Sequence, residues 1–314
     1  MRPCRSRQSR QAGVALIVVL WAVALISAAM LGLAAILQRQ LGQEVAALQN
    51  SRATLVAESG LQMALNPQIQ SATTAEASRI LSGEVQAGWG VPVRFQVGAE
   101  DLQGEDGKIN LNAFDVGSPG GREFARRILT NLLGFWEVNP TSSSAFIDAF
   151  LDFLDPDRNP TGANEATEER ARNAPLENLD ELEGIPGWAQ VMEESRVKNW
   201  RDKFTIYGSG KLSLKNADAD VIEAWLGLNL GAAANFVQNR LGPDQIFGSQ
   251  DDQINVALLG NLSPEALARI NPGSEDLWRV TSTGYVGEVK RKIVALISRN
   301  PPQIKARWTE DRPE

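Results

Sequence analysis

From Val14 to Leu37 the chain carries no charged residue, and no proline occurs between residue 4 and residue 66. At about 1.5 Å per residue, this uncharged run makes a helix of about 36 Å, enough to cross a bilayer core of about 30 Å. The apolar core of an ordinary cleaved secretory signal is shorter, about 7–15 residues. Arginines at 2, 5, 7 and 10 precede the run, with no acidic residue among them. That asymmetry puts the N-terminal end in the cytoplasm and the bulk of the chain outside. The helical pattern then continues. Leu41, Val45, Leu48, Leu55 and Met63 recur at three- or four-residue steps or their sums, separated by Gln38, Gln43, Glu44, Gln49 and Arg52. Asn66-Pro67 stops it. The prediction is one helix of about 50 residues, apolar in its first half and amphipathic in its second. A signal anchor with a helical stalk is one architecture that satisfies this.

Beyond the helix, "VPVRFQV" puts Val91, Val93, Phe95 and Val97 on one face and Arg94 and Gln96 on the other, which is the pattern of a half-buried strand. "GEDG" reads as a turn and "KINLN" as a second strand, giving a β-hairpin that ends near Asn112. "GKINLNAF" at Gly107 and "GKLSLKNA" at Gly210 share a layout, so the chain holds a weak internal repeat. Residues 121–200 read as helical, through "REFARRILTNLLGF" and "SSAFIDAFLDFL", with Ser142 to Ser144 as the cap of the second helix. "DADVIEAWLGL", "AAANFVQNRL", "INVALLG" and "SPEALARI" predict further short helices, the last started by Ser263. Near the end, Trp278, Val280 and Ser282 alternate, as do Ile293, Ala295 and Ile297. They predict two long antiparallel strands that close a sheet with the early hairpin and leave the helical matter as an insertion.

Composition narrows the chemistry. There is no histidine, so Ser-His, Cys-His and zinc-histidine sites are excluded. The one cysteine, Cys4, lies in the basic tip and can form no intramolecular disulfide. Net charge is −7 although the tip is basic, so the remainder is more acidic still, which disfavours nucleic acid and favours cations or basic partners. "NLDELEGIPGW" has the look of a helix-hairpin-helix turn, which can grip a phosphate through backbone amides. Here Asp180, Glu181, Glu183, Glu193 and Glu194 surround it, as in a purely structural corner. "LDFLDPDRNPTGANEATEE" gathers Asp152, Asp155, Asp157, Asn159, Asn164, Glu165 and Glu168 on an irregular backbone. Such hard oxygen donors suit calcium, although the spacing is not that of an EF-hand. A solvated acidic loop has the same composition.

The order of several pieces then carries a resemblance. "RQAGVALIVVL" is similar to a type IV prepilin leader, in which a prepilin peptidase cuts after a glycine, here Gly13, and leaves Val14 as the mature N-terminus. With "LVAESGLQMAL", "DGKINLNAF", "LDFLDPDRNPTGANE", "LDELEGIPGW" and "FTIYGSGKLSLKNAD", the chain resembles the K-type minor pseudopilins of the bacterial type II secretion system. Most pilins carry a glutamate at the fifth mature position. Val18 stands there in this chain, as is characteristic of K-type members.

The resemblance implies an α+β fold: a pilin-like long N-terminal helix packed on an antiparallel sheet, with a large inserted α-helical domain. The boundaries that follow are a leader over 1–13, a transmembrane half over 14–37, and helix continuation with hairpin over 38–114. The inserted domain with the acidic loop covers 115–203, a β-segment with a second helical lobe covers 204–274, and the closing strands cover 275–314. The resemblance also implies calcium held by Asp155, Asp157 and Glu165, with Asn164 offering an amide oxygen where relatives commonly have a carboxylate. It implies a structural, non-catalytic role at the tip of a periplasmic pseudopilus, anchored in the inner membrane, that assists the export of folded proteins. The partners implied are the I- and J-type minor pseudopilins, the major pseudopilin, the prepilin peptidase and the inner-membrane assembly platform. Leu41, Val45, Leu48 and Leu55 are the candidate helical interface. A signal-anchored periplasmic module that binds DNA or protein through its helix-hairpin-helix-like turns is the alternative.

Overall fold

A computed structural model describes residues 9–98, 101–156, 173–271 and 276–309. Its first element, α1 (Ser9–Ala64), is the long helix that the proline-free sequence requires. It ends where predicted, and Asn66 caps the next helix, α2 (Pro67–Ser71), with its side chain accepting from the Gln68 amide at 3.0 Å. α3 (Thr74–Ile80) opens on a capping box between Thr73 and Glu76. β1 (Gly83–Glu84), β2 (Val93–Gln96) and β3 (Leu102–Gly104) follow. After an excursion of more than 170 residues by roughly the span of a small domain, the chain returns as β8 (Leu277–Val286), β9 (Val289–Arg299) and β10 (Pro302–Thr309).

These strands form one antiparallel sheet in the order β1-β2-β8-β9-β10, with β3 added to β8. β8 receives both earlier strands on one side: Val93 to Gln96 oppose Val286 to Thr283, and Leu102 to Gly104 oppose Val280 to Trp278. The alternation read from sequence holds in β2 but not in β9, where Ile293 to Ser298 are buried without a break. Val93 and Phe95 are buried and Arg94 and Gln96 exposed; Val280, Ser282, Ile293, Ala295 and Ile297 are all buried. A third C-terminal strand, β10, was not foreseen. Its side chains alternate between exposed and half-buried, a weak signal at an edge.

The hairpin expectation fails. β2 pairs with β1 and β8, not with "KINLN". Ile109 and Asn110 instead form β4, a two-residue parallel pairing with β5 (Phe204–Thr205). The reason is that Ile109 and Leu111 are both fully buried in the core of the insertion, which a half-solvated hairpin could not provide. "GEDG" does turn, as a 3-10 turn over Glu105–Gly107, but it is buried.

The insertion hangs between β3 and β8. Its first lobe holds α4 (Pro119–Phe135), α5 (Pro140–Leu154) and α6 (Trp188–Glu194). α5 starts earlier than expected: Asn139, not Ser142 to Ser144, is its cap, with Pro140 at the first turn. The second lobe runs from β6 (Leu212–Ser213) through α7 (Ala219–Leu226), α8 (Ala234–Arg240) and α9 (Pro264–Ala268) to β7 (Ile270–Asn271), which pairs in parallel with β6. "INVALLG" is a 3-10 turn over Val256–Leu259 rather than an α-helix. Ser263 caps α9 as expected. The internal repeat is real in outline: each lobe opens on Gly-Lys and a two-residue strand and closes on a parallel partner strand. The contacts are reciprocal too. A Cβ on Gly107 would meet Asn216, and one on Gly210, which also has φ +75°, would meet Ala113. One apolar core, from Ile109 to Ile270, serves both lobes.

A separate core lies between α1 and the sheet, built from Ala57, Leu61, Ala64, Leu102, Val280, Ile293, Ala295 and Ile297. Small residues set the distance. A Cβ on Gly284 would overlap the carbonyl oxygen of Ala53, and one on Gly60 would overlap Ser282. Ala53 thus lies over Gly284 and Gly60 over Ser282, so α1 and β8 run in opposite directions. The insertion therefore joins the sheet at the end of α1 farther from the apolar run.

Replacing Gly284 with alanine is expected to lower stability by about 2 kcal/mol, since backbone and not a flexible side chain occupies the space. Gly42, with nothing near its Cβ position, should tolerate alanine with no loss and up to about 1 kcal/mol of gain. Thermal unfolding of the full chain in detergent compares the two; equal losses would refute the close-contact account.

Candidate functional site

The outward side of α1 is the most exposed apolar surface among the described residues. From Leu16 to Leu48 its residues are half-exposed or more with few breaks. An 18-residue stretch within Leu16–Ala64 reaches a mean hydropathy of 2.6 and none of it is buried in the protein. By length and composition this helix fits a single-pass membrane anchor. Gly13 and Val14 both lie inside α1.

The helix changes partner along its length. Ala53, Val56, Ala57, Leu61 and Ala64 turn to the sheet and are buried. The stripe predicted from spacing faces away from it: Leu41 is 60 % exposed, Val45 52 %, Leu48 50 % and Leu55 58 %. Sequence spacing located this stripe but missed the sheet-facing one, because alanine and glycine carry little hydropathy. What could have found it is their own spacing: Ala53, Ala57, Gly60 and Ala64 recur at three and four residues.

The second candidate is the acidic loop. Asp157, Asn164 and Glu165 lie outside the described residues. Asp155 ends α5, is 4 % exposed and is ion-paired to Arg122 of α4. Asp152 is also buried. Among the described residues no cluster of three acidic side chains is placed to hold a metal ion. The one placed carboxylate of the expected set thus already has a cationic partner, which competes with an added cation for the same oxygens.

"LDELEGIPGW" forms the corner expected of it. Leu179–Gly184 is a 3-10 turn capped by Asn178 with Glu181, and Gly187 (φ +88°) packs on the backbone of Phe146. Asp180 and Glu183 both accept from Arg201 at 2.6 Å. The corner presents carboxylates and not bare amides, so it suits a structural joint better than a phosphate.

One group not singled out by sequence joins insertion to sheet. Glu105 stands where the chain leaves β3 and is fully buried. Arg279 stands where the chain re-enters on β8. Its Nε and Nη2 donate to the two carboxylate oxygens at 2.8 and 2.6 Å. Thr205 of β5 donates its hydroxyl to the same carboxylate. Burial alone would push the Glu105 carboxyl up, but the hydrogen bonds and charge of Arg279, with help from Lys108 and Thr205, hold it below its ordinary value. The arrangement is a clasp across both crossings of the insertion. A carboxylate inside a Gly-flanked turn reads from sequence as a solvated loop residue, and only the fold shows otherwise.

The comparisons with known proteins fit this architecture. Residues 107–195 match the family model described as Type II secretion system (T2SS), protein K. A chain in a crystal structure of the GspK-GspI-GspJ complex of the type 2 secretion system, from enterotoxigenic Escherichia coli, has the same fold. The TM-score is 0.60 at 13% identity, over 87% of this chain and 100% of that one. No curated protein matches in sequence. The K-type resemblance is thus met in sequence over the first lobe and in fold over most of the chain.

Because Glu105 has a lowered folded pKa, its stabilising contribution is present above the ordinary value of 4.5 and is lost as pH falls through that value to the folded one. Glu105→Gln, which leaves the half-buried Arg279 without the charge of Glu105, is expected to destabilise the chain by about 3 kcal/mol at neutral pH. The gap to wild type should close on acidification. Unfolding midpoints measured from neutral to acid pH check this; a constant gap would exclude the charge as its origin.

Proposed function

We propose that this chain is a structural minor pseudopilin of K type that caps the tip of the type II secretion pseudopilus and so assists export of folded proteins across the outer membrane. In this reading it is made with a leader cut after Gly13, held in the bacterial inner membrane by its apolar half-helix, and faces the periplasm with the rest. Its partners are I- and J-type minor pseudopilins, as in the complex that the similar chain comes from. The major pseudopilin, the prepilin peptidase and the inner-membrane assembly platform follow from the same reading.

The observation that carries it is the stripe at Leu41, Val45, Leu48 and Leu55. It is apolar, its residues are 50 to 60 % exposed, and at Leu55 the chain's own sheet already occupies the other side of the helix. Helices of the same design, packed side by side, would bury it in the manner of a coiled coil. Two further observations favour the tip. Val18 has no carboxylate to offer to a subunit above, and an unpaired one in the bilayer would be costly. The insertion leaves the sheet at the end far from the apolar run, where it stands in the way of a further subunit.

The test uses the full chain coexpressed with I- and J-type partners. The mature chain is expected to begin at Val14, and wild type to co-purify with both partners. Leu48→Glu with Leu55→Glu should reduce that recovery at least about tenfold, the loss of roughly 1.4 kcal/mol or more in association. Full recovery with both positions charged would place the contact elsewhere, and cleavage near "ISAAM" would refute the pilin reading.

The acidic loop is proposed as a calcium site, with Asp155, Asp157 and Glu165 as carboxylates and Asn164 as an amide donor. Support comes from the donor chemistry alone, because a hard cation takes about 6–8 oxygens at flexible geometry. Arg122 would then share Asp155 with the ion. Calcium should raise the melting temperature of the full chain and a chelator should lower it; identical melting in both would leave the loop merely solvated.

A further inference from the structure

Most arginines of the insertion have a partner. Arg122, Arg126, Arg196 and Arg201 each meet a carboxylate, and Arg240 donates to two backbone carbonyls. Arg127 of α4 and Arg269, which follows α9, make no side-chain ion pair or hydrogen bond among the described residues. Both guanidinium groups lie over the ring of Phe124 instead, at 3.4 Å from its centroid for Arg269 and 5.4 Å for Arg127. Three elements hold this arrangement. Phe124 and Arg127 stand three positions apart on α4 and so share a face. Trp225 of α7 meets the same ring edge-on at 5.2 Å, and its Nε1 donates to the Arg269 carbonyl at 3.1 Å. Phe124 and Arg269 are half-buried and Arg127 is exposed, so the pair opens to solvent at the seam between the lobes.

Two like charges on one ring repel. Burial and the charge of Arg127 hold the Arg269 guanidinium below its ordinary value, against the attraction of Glu265. Stacking on the ring orients the planar forks and leaves their N–H donors unused. A carboxylate accepts such donors in pairs. Lying between the two arginines, it would also relieve their repulsion.

The surroundings restrict what carries that carboxylate. Glu123 and Glu265 stand four positions before Arg127 and Arg269, and the whole chain has a net charge of −7. These charges oppose a nucleic acid or another dense polyanion. A peptide brings its carboxylates one at a time, and arginine beside aromatic rings is the composition of protein–protein contact sites. We infer that this shelf between α4 and α9 is a docking surface for an acidic peptide segment of another protein, one of whose carboxylates lies between Arg127 and Arg269. The shelf belongs to the insertion, and the inference does not depend on the reading given to the stripe on α1.

The experiment uses the full chain in detergent at constant ionic strength and reads fluorescence anisotropy. The probe is a labelled peptide of glutamates, with a glutamine peptide of the same length and an oligothymidylate for comparison. The glutamate peptide is expected to bind saturably and the other two are not. Arg127→Gln together with Arg269→Gln should weaken binding at least about tenfold. Arg126→Gln removes the same charge one position away, from an arginine already paired with Asp148 at 2.6 Å, and should change affinity by less than about twofold. Arg269→Lys keeps the charge and loses the fork, so it should also weaken binding, which a mere surface charge would not require. Arg127→Gln alone, at an exposed position, should weaken binding in a chain that melts like wild type, so a lost fold is not mistaken for a lost site. No saturable binding by wild type, undiminished binding by Arg127→Gln, an equal loss in Arg126→Gln, or equal binding of the oligothymidylate would each overturn the inference.

Discussion

The contact between Ala53 and Gly284 determines how the rest of the chain can be arranged. A helix that touches a strand backbone to backbone has its distance and its rotation about its own axis fixed together. With Ala53, Ala57 and Gly60 committed to β8, the larger residues of the same helix must point elsewhere. Leu55 is therefore held outward by the packing of its neighbours, and Leu41, Val45 and Leu48 lie on the same side of the helix where it runs on beyond the sheet.

The insertion follows a different logic. It has its own core, and besides its two crossings it is held to α3, where Gly248 accepts from the Ala75 amide at 3.1 Å and Gln250 donates to Glu76 at 3.0 Å. The buried carboxylate of Glu105 adds a clasp at the crossings. It gathers Arg279 from the outgoing crossing and Thr205 from the first lobe around a group on the incoming one. The geometry is bidentate and the oxygens are satisfied, which is the condition under which a buried ion pair holds a unique arrangement without a large penalty. Clasp and helix contact together make a stiff arm: apolar run, sheet and insertion lie in that order along it.

Features with a long period were legible in the sequence, and those set by single contacts were not. The helix from the apolar run to Asn66, the alternation in β2, the existence of β8 and β9, and the presence of an insertion all come from hydropathy repeated over many residues. "KINLN" was misplaced because two buried residues at alternate positions do not say which partner buries them, and Ile109 turned to Phe204 instead of to Phe95. The cap of α5 was misplaced because three serines outweighed the one asparagine before a proline. Glu105 and Arg279 lie 174 positions apart, and nothing local links them. In the candidate site, the stripe on α1 was legible in full. Of the acidic loop, Asp155 alone can be compared, and its pairing with Arg122 needed the packing of α4 on α5.

The same reasoning gives the arm a polarity. Its apolar half, which fits a membrane anchor, is exposed all round, and its middle carries the exposed apolar stripe at Leu41, Val45, Leu48 and Leu55. Its far end carries the insertion, whose core is gathered inside while Leu230, Ile246, Leu258 and Leu267 stay exposed on it. In the proposed reading a partner helix approaches the stripe laterally, and the apolar area left there to be buried, at roughly 25 cal/mol per Å², favours one-sided growth.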